Sequence, residues 1–156
     1  MNTPEARVLG SNLPVSTKQC REIAQFIKGR EVQRAVQLLE AVKTHKVAIP
    51  FKRFNRDMGH RPGHVGPGRY PEKASLQVVV LLKSLIANAQ QKGLDVNNLY
   101  VKSAIANIAS RPGRYGRQRG RTSKRSHFEI IAAELPNERK ETKKQKDIQK
   151  TKEKQP

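Results

Sequence analysis

The sequence of 156 residues has few of the features that stabilise secreted proteins or anchor membrane proteins. It has one cysteine, Cys20, which excludes an internal disulfide framework and fits a reducing compartment. No apolar run approaches the roughly 18 residues of a membrane-spanning helix. The first ten residues have no apolar core of a signal peptide. We therefore expect no transmembrane segment, and a chain that stays in the cytoplasm.

Acidic residues are also scarce. Asp and Glu total 13 against 32 Lys and Arg, which gives a net charge of +19 and an isoelectric point near 10.7. This excess predicts a polyanionic partner, most often nucleic acid or an anionic membrane. A membrane-surface protein would have an amphipathic helix with a basic rim and exposed aromatic residues, and no predicted helix fits that description. We expect a nucleic-acid partner and no membrane partner.

Residues suited to catalysis or metal binding form no recognisable constellation. The four histidines and one cysteine give no nucleophile and base at a supporting spacing. His60 and His64 are separated by Arg-Pro-Gly, which no helix can hold, and zinc would lack further ligands. No glycine-rich loop is followed by Lys and Ser or Thr. The sequence predicts no enzyme, no catalytic residue, no cofactor and no metal site.

Apolar residues at intervals of three and four predict three helices. The first begins with a capping box at Ser16 and ends at Gly29, which can take a left-handed C-terminal cap. The second follows from Glu31. The third begins after Pro71, whose missing N–H is not needed in a first turn, and it ends at Gly93.

A projecting hairpin is predicted in the second half of the chain. Two β-compatible segments, Leu99 to Ile108 and Phe128 to Leu135, flank a basic stretch, and an antiparallel hairpin is the simplest connection between them. An arm from Leu99 to Tyr115, at about 3.3 Å per residue, would be roughly 55 Å long. Since a body of three helices cannot cover that length, the outer half should project. A further short strand is expected over Ala6 to Asn12.

The domain organisation follows from these segments. Residues 1–135 are predicted to form a single RNA-binding domain with an insertion loop over 46–70 and a hairpin over 99–135. Residues 136–156 form a basic C-terminal tail that we expect to be flexible. The insertion loop has no periodicity, and no hydrophobic core is expected to order it without a partner.

The hairpin connection and the insertion loop carry the chemistry of nucleic-acid binding. Arg can grip phosphates with two donors or stack on bases, Gly allows close approach of the backbone, and Tyr115 could stack on an unpaired base. In the loop, Phe51 and Phe54 either stack on bases or anchor the loop on the body. The candidate phosphate contacts of the loop are Lys52, Arg53, Arg56, Arg61 and Arg69.

A helix-turn-helix is the minor alternative for the first two helices. A sequence-reading helix needs Arg, Asn or Gln clustered at its N-terminal end, and the second helix offers only Gln33, Arg34 and Gln37.

Several motifs resemble a known family. The most specific are Lys83 to Ala89 (KSLIANA) and Gly93 to Lys102 (GLDVNNLYVK), with weaker matches at Ser16 to Arg30, Arg117 to Arg121 and Lys124 to Ile130. They resemble the ribosomal protein family of the large subunit that is called "L twenty-two" in bacteria and "L seventeen" in eukaryotes. Residues 47–70 resemble the insertion of its archaeal and eukaryotic branch.

The resemblance implies an α+β fold in which three helices are packed on a small antiparallel sheet with a long projecting β-hairpin. It implies a structural constituent of the large ribosomal subunit that binds large-subunit rRNA, supports its assembly and lines the nascent-peptide exit tunnel. The implied partners are this rRNA, neighbouring large-subunit ribosomal proteins and the nascent polypeptide. A general architectural nucleic-acid-binding protein is the alternative.

The resemblance also implies roles for individual residues. RNA contacts are expected at the start of the first helix, through Thr17, Lys18 and Arg21, and along the hairpin, through Arg111, Arg121, Lys124, Arg125 and His127. Lys28 and Arg30, at the end of the first helix, complete the predicted RNA contacts. The tunnel-facing tip is expected to comprise Arg114, Tyr115, Gly116, Arg117, Gln118, Arg119 and Gly120.

Overall fold

The computed structural model describes residues 4–134. In chain order the elements are β1 Glu5–Leu13, α1 Thr17–Ile27, α2 Val32–Lys43, β2 Ile49–Pro50, β3 His60–Arg61, β4 Gly66–Arg69, α3 Glu72–Gln91, β5 Leu99–Ile108 and β6 Ser126–Glu134. Leu135, at the end of the last predicted strand, and the predicted tail over 136–156 lie outside the described residues.

The helices begin and end close to where their cap residues predict. Gly29 and Gly93 follow α1 and α3 with φ of 77° and 71°, a conformation that glycine adopts without steric penalty. Pro71 stands immediately before α3. The capping box predicted at Ser16 is wrong: Ser16 is the N-cap residue of α1, but its side chain makes no capping hydrogen bond.

The main sheet is antiparallel, with the strand order β1-β6-β5. Val8 on β1 lies opposite Ile130 on β6, and Ile105 on β5 lies opposite Glu129 on β6. The α1–α2 corner is tied to the outer edge of β5, where Val101 donates its N–H to the carbonyl of Arg30 at 2.8 Å. The edge of β5 near Val101 is therefore covered by the helical corner.

The core lies between the sheet and the helices. α3 packs on β1, β6 and α2, while α1 packs on β5 and β6. Phe128 and Ile130 of β6 are fully buried, as are Ile23 on α1 and Leu82 on α3. The predicted α+β class, with helices and a small antiparallel sheet, is confirmed. No helix between residues 4 and 134 has the length and apolar composition that a membrane span requires.

The insertion loop differs from the sequence prediction, because it has its own ordered structure. Its strands β2, β4 and β3 form a second antiparallel sheet in that order. Ile49 is fully buried and Phe51 is 4% exposed, so both join the main core. The prediction that no hydrophobic core orders this loop is wrong for the segment around these two residues, since apolar side chains within the loop reach the body.

The connection from β5 to β6 continues the antiparallel pairing in irregular form. Ser123 donates its N–H to the carbonyl of Pro112 at 3.0 Å, and Arg114 donates to that of Arg121 at 3.0 Å. A short 3-10 turn, Gly116–Gln118, forms the end. Residues 110–122 are all exposed. Within the described chain, this segment therefore depends on backbone pairing and not on core packing.

Candidate nucleic-acid interface

A groove of about 830 Å³ lies where the start of α1, the insertion loop, the start of α3 and the hairpin connection meet. Its basic lining residues are Lys18, Arg53, Arg56, Arg69, Lys73, Arg114, Lys124 and Arg125. Within the described part of the chain no Asp or Glu lines it. Eight cations around one concave surface attract a polyanion more strongly than the same charges spread over the molecule. We call this surface the basic groove.

Most acidic side chains of the described chain are engaged elsewhere. Glu129 pairs with Arg7 at 2.7 Å on the main sheet, and Glu72 contacts His45 at 2.5 Å. Glu5 pairs with Lys102, and their hydrogen bond raises the pKa of Lys102. These carboxylates pair with residues that do not line the basic groove, and none of the three carboxylates lines it.

Asp57 directly follows the groove residue Arg56 in the sequence. It lies 3.7 Å from the Nε of Arg56, and both side chains are almost fully exposed. An ion pair in that setting is strongly screened by water and salt. Arg56 therefore remains available to a phosphate.

The buried carboxylate of Glu22, on α1, orders the loop side of the groove. Its Oε1 accepts N–H groups from Arg53 at 3.0 Å and Phe54 at 3.1 Å. Its Oε2 accepts the N–H of Lys52 at 3.0 Å. Consecutive backbone N–H groups that converge in this way form an anion-binding nest. Here an internal carboxylate fills the nest.

The two phenylalanines of the loop anchor it on the body. Phe51 is buried, and Phe54 is half-buried against the core. Lys18 Nζ lies 5.6 Å and the Arg53 guanidinium 5.8 Å from the centre of the Phe54 ring, within the range of cation–π attraction. Of the two alternatives drawn from the sequence, the structure favours anchoring over stacking on bases.

Arg125, at the root of the hairpin, lines the basic groove and also joins neighbouring segments of the fold. Arg125 Nη1 donates to the carbonyl of Asn12 at 3.0 Å, and the N–H of Asn12 donates to Nδ1 of His127 at 3.3 Å. Thr17 is 8% exposed, and its hydroxyl donates to the carbonyl of Arg125 at 3.5 Å. The side chain of Thr17 is thus largely buried against the hairpin root, and its contact with RNA stays a prediction.

A second, smaller surface gathers other predicted contacts. Lys28, Arg30 and Lys52 line a pocket of about 370 Å³ at the end of α1. The guanidinium of Arg30 stacks over Phe26 at 4.7 Å, and its Nε donates to the Phe26 carbonyl at 2.7 Å. The structure thus separates these three residues from the basic groove, and their contact with RNA stays a prediction.

The other side chains that are predicted to contact RNA either bind groups within the protein or are exposed to solvent. Arg21 Nε donates to the carbonyl of Ala106 at 3.4 Å, on the edge of β5. Arg61 Nε donates to the carbonyl of Gly68 at 3.2 Å, and its guanidinium lies 5.2 Å from the Tyr70 ring centre. Arg111 and Arg121 are exposed on the hairpin connection. Their RNA contacts also stay predictions.

The hairpin tip presents its side chains to solvent. Tyr115 is 95% exposed, and Gly116 has a φ of 61°, which a residue with a side chain rarely adopts. Arg114 donates to the Oε1 of Gln118 at 3.4 Å across the turn. The remaining predicted tip residues, Arg117, Arg119 and Gly120, are exposed.

The helix-turn-helix alternative receives no support from α2. Gln33 Nε2 donates to Asn97 Oδ1 at 3.1 Å, and Arg34 donates to Gln37 at 3.4 Å. These contacts engage the side chains that a base-reading helix would need free.

Two residues of the candidate site were not identified from the sequence. Lys73, in the first turn of α3, lines the basic groove, and its position soon after Arg69 was the available signal. Glu22 gave no local signal, because its partners are 30 to 32 residues further along the chain.

Cys20 is buried beneath the hairpin root. Burial raises the pKa of its thiol, and a hydrogen bond with Ser126, with Sγ and Oγ 3.6 Å apart, lowers the pKa by a smaller amount. Within residues 4–134 no cluster of three or more His, Cys, Asp and Glu side chains could hold a metal ion.

Comparison with known proteins identifies the family. The sequence model of ribosomal protein L22p/L17e matches residues 8–133. The large ribosomal subunit protein uL22 of Archaeoglobus fulgidus is 39% identical over 137 residues, covering 83% of this chain and 88% of that protein. That of Cenarchaeum symbiosum is 39% identical over 127 residues, covering 77% and 83% respectively. That of Methanoculleus marisnigri is 40% identical over 137 residues, covering 83% and 90%. The chain therefore belongs to the ribosomal protein L22p/L17e family, in its archaeal type, as its motifs predict.

Proposed function

We propose that this chain, a structural constituent of the large ribosomal subunit, binds large-subunit rRNA, supports its assembly and lines the nascent-peptide exit tunnel with its hairpin tip. The basic groove carries the rRNA part of the proposal, because four separate segments place eight Lys and Arg side chains around one concavity. The role is structural and not enzymatic, in keeping with the family.

The mechanism is electrostatic. Phosphates that enter the groove replace condensed counterions with Lys and Arg, and the released ions drive binding. Arg53 and Arg69 can each grip a phosphate with two donors. RNA segments that would otherwise repel each other are thereby held together on one protein surface. Specificity would come from RNA shape, since A-form helices hide their base edges in a deep major groove.

The tip carries the tunnel part of the proposal. Arg114 to Gly120 are exposed and are held by the backbone pairs at their base, so they can reach a partner without disturbing the core. The partners would be large-subunit rRNA, neighbouring large-subunit proteins and, at the tip, the nascent chain. The chain would act in the cytoplasm as part of the subunit.

Sedimentation distinguishes this role from that of a general architectural nucleic-acid-binding protein. Tagged full-length chain is expressed in cells, and ribosomal particles from the lysate are washed in high salt. Retention on large subunits is expected, because many buried contacts resist salt collectively. Release to the top fractions, together with equal affinity for unrelated duplexes, would contradict the proposal.

A further inference from the structure

The carboxylate of Glu22 is in an unusual position for a charged group. Its residue is 2% exposed on α1, where it borders the smaller pocket that Lys28, Arg30 and Lys52 also line. Within residues 4–134 no Lys or Arg side chain forms an ion pair with it. An ionised carboxylate at such a place requires compensation, since removal from water is strongly unfavourable.

The compensation comes from the insertion loop. The backbone N–H groups of Lys52, Arg53 and Phe54 all donate to the two oxygens of Glu22, at 3.0 to 3.1 Å. Because these three successive amides point at the carboxylate, the side chains of the same residues are directed away from it. The side chains of Lys52 and Arg53 are exposed. The loop is thus held through its main chain, and the side chains of these two cations remain exposed.

Hydrophobic contacts on both sides of this nest restrict the same segment. Phe51 is buried in the core, and its N–H donates to the carbonyl of Pro67 at 2.9 Å. Phe54 packs against the core at the other end. The segment from 51 to 54 therefore has a defined conformation without RNA. This differs from the sequence-based expectation that the loop orders only on binding.

We propose that Glu22 is a positioning residue for the basic groove, which fixes the loop main chain so that Arg53 and Arg56 are presented to RNA phosphates before binding. The RNA part of this inference rests on the proposed function. Pre-ordering lowers the conformational entropy lost on association, so it increases affinity without any contact between Glu22 and RNA. Because Glu22 already fills the nest, RNA phosphates meet the side chains and not these amides.

Glu22→Gln tests the inference in the full-length chain, with Glu40→Gln as the matched control. Gln has a single acceptor oxygen, and its NH₂ group would face one of the three donors. Glu40 is exposed on α2 and lies 3.8 Å from Lys83. Both changes remove one negative charge, so they alter the net charge equally.

The first readout is amide hydrogen exchange of the free protein. For Glu22→Gln we expect protection at residues 52–54 to fall by at least roughly tenfold, while β6 amides at Phe128 to Ala132 exchange as in wild type. Unchanged exchange at 52–54 would overturn the inference. An equal increase in the exchange rate of the β6 amides would also overturn it, because Glu22 would then stabilise the fold as a whole.

The second readout is affinity for large-subunit rRNA as a function of salt. We expect weaker binding by Glu22→Gln and a slope of log affinity against log salt that is smaller in magnitude by roughly 2, as about two phosphate contacts are lost. Glu40→Gln should keep the wild-type slope. If Glu22→Gln had the same salt slope as Glu40→Gln although its amide exchange at 52–54 was altered, the positioning role would be overturned.

A conservative variant separates charge from stability. Glu22→Asp keeps the carboxylate on a shorter side chain, and we expect it to restore part of the protection and part of the slope even if Glu22→Gln folds poorly. Asp behaving like Gln in both readouts would contradict the inference. Failure of the wild-type chain to bind this rRNA would overturn the proposed function and the positioning role together, whereas the exchange result tests the loop ordering independently.

Discussion

A Cβ atom on Gly10 would lie 2.8 Å from Cδ1 of Leu81, because α3 packs directly on β1 at this point. Leu81 is half-buried and can move, so we expect Gly10→Ala to lower the free energy of unfolding by about 1 kcal/mol and Gly10→Val by about 2 to 3 kcal/mol. Urea unfolding of the purified chain measures both.

Gly59→Ala is the matched control for this substitution. A Cβ on Gly59 would meet no atom within 4 Å. The free energy of unfolding of Gly59→Ala should stay within about 0.5 kcal/mol of that of wild type. If Gly10→Val were as stable as this control, α3 would not pack on β1 as described.

The buried thiol of Cys20 predicts a pH dependence of stability. Burial raises the pKa of Cys20 in the folded chain, whereas an unfolded chain ionises it near its ordinary value of about 8.5. The stabilising contribution is therefore complete below about pH 8.5 and is lost as the pH rises through the folded pKa. The loss is at most about 1.4 kcal/mol per pH unit.

Denaturant unfolding of wild type and Cys20→Ala between pH 7 and pH 10 tests this linkage. The free energy of unfolding of wild type should fall more steeply with pH than that of the variant. Parallel curves across the whole range would show that the folded and unfolded pKa values of Cys20 are the same.

Tyr115 gives a direct test of the tunnel proposal. Its side chain is 95% exposed at the hairpin tip. We expect a photoreactive phenylalanine analogue in place of Tyr115, in assembled ribosomes, to crosslink to nascent chains once they are long enough to reach the tip. The same analogue in place of Tyr70, which stacks on His45 with 4.8 Å between the ring centres, should give no such product.

Gel analysis of radiolabelled nascent chains of stepped length detects these products. If position 115 crosslinked only to RNA at every nascent-chain length, the nascent polypeptide would not be a partner of the hairpin tip.

The regular elements could be predicted from the sequence because their signals are local. The apolar spacing and flanking caps of α3 come from residues within the helix, and β5 runs from Leu99 to Ile108 as its composition predicts. The antiparallel pairing of β5 with β6 follows from the connection of two such strands. The family motifs lie in these same segments, so they identified the family from the sequence alone.

The insertion loop and the groove could not be predicted in this way, because their contacts join distant parts of the chain. The nest at residues 52–54 requires a carboxylate from α1, and a lone Glu in an amphipathic helix resembles any surface residue. Thr17 and Arg125 are 108 residues apart in the sequence, and only the fold shows that the Thr17 hydroxyl donates to the main-chain carbonyl of Arg125. Charge counting predicted the type of partner, but only the fold shows which cations share one surface.

The binding of large-subunit rRNA by two variants of equal charge tests the central claim most directly. One variant removes three groove cations, with Ala in place of Lys18, Arg53 and Arg56. The other removes three exposed cations on and just after α2, with Ala in place of Arg34, Lys43 and Lys46. Affinity is measured against salt, with unfolding curves to show that both variants fold.

The groove variant should bind at least roughly tenfold more weakly than the α2 variant at the same salt concentration, with a smaller salt slope, because only the groove cations displace counterions from bound phosphates. Equal affinities and slopes for the two variants would show that net charge alone attracts the RNA, and they would contradict the assignment of the basic groove as the rRNA-binding surface.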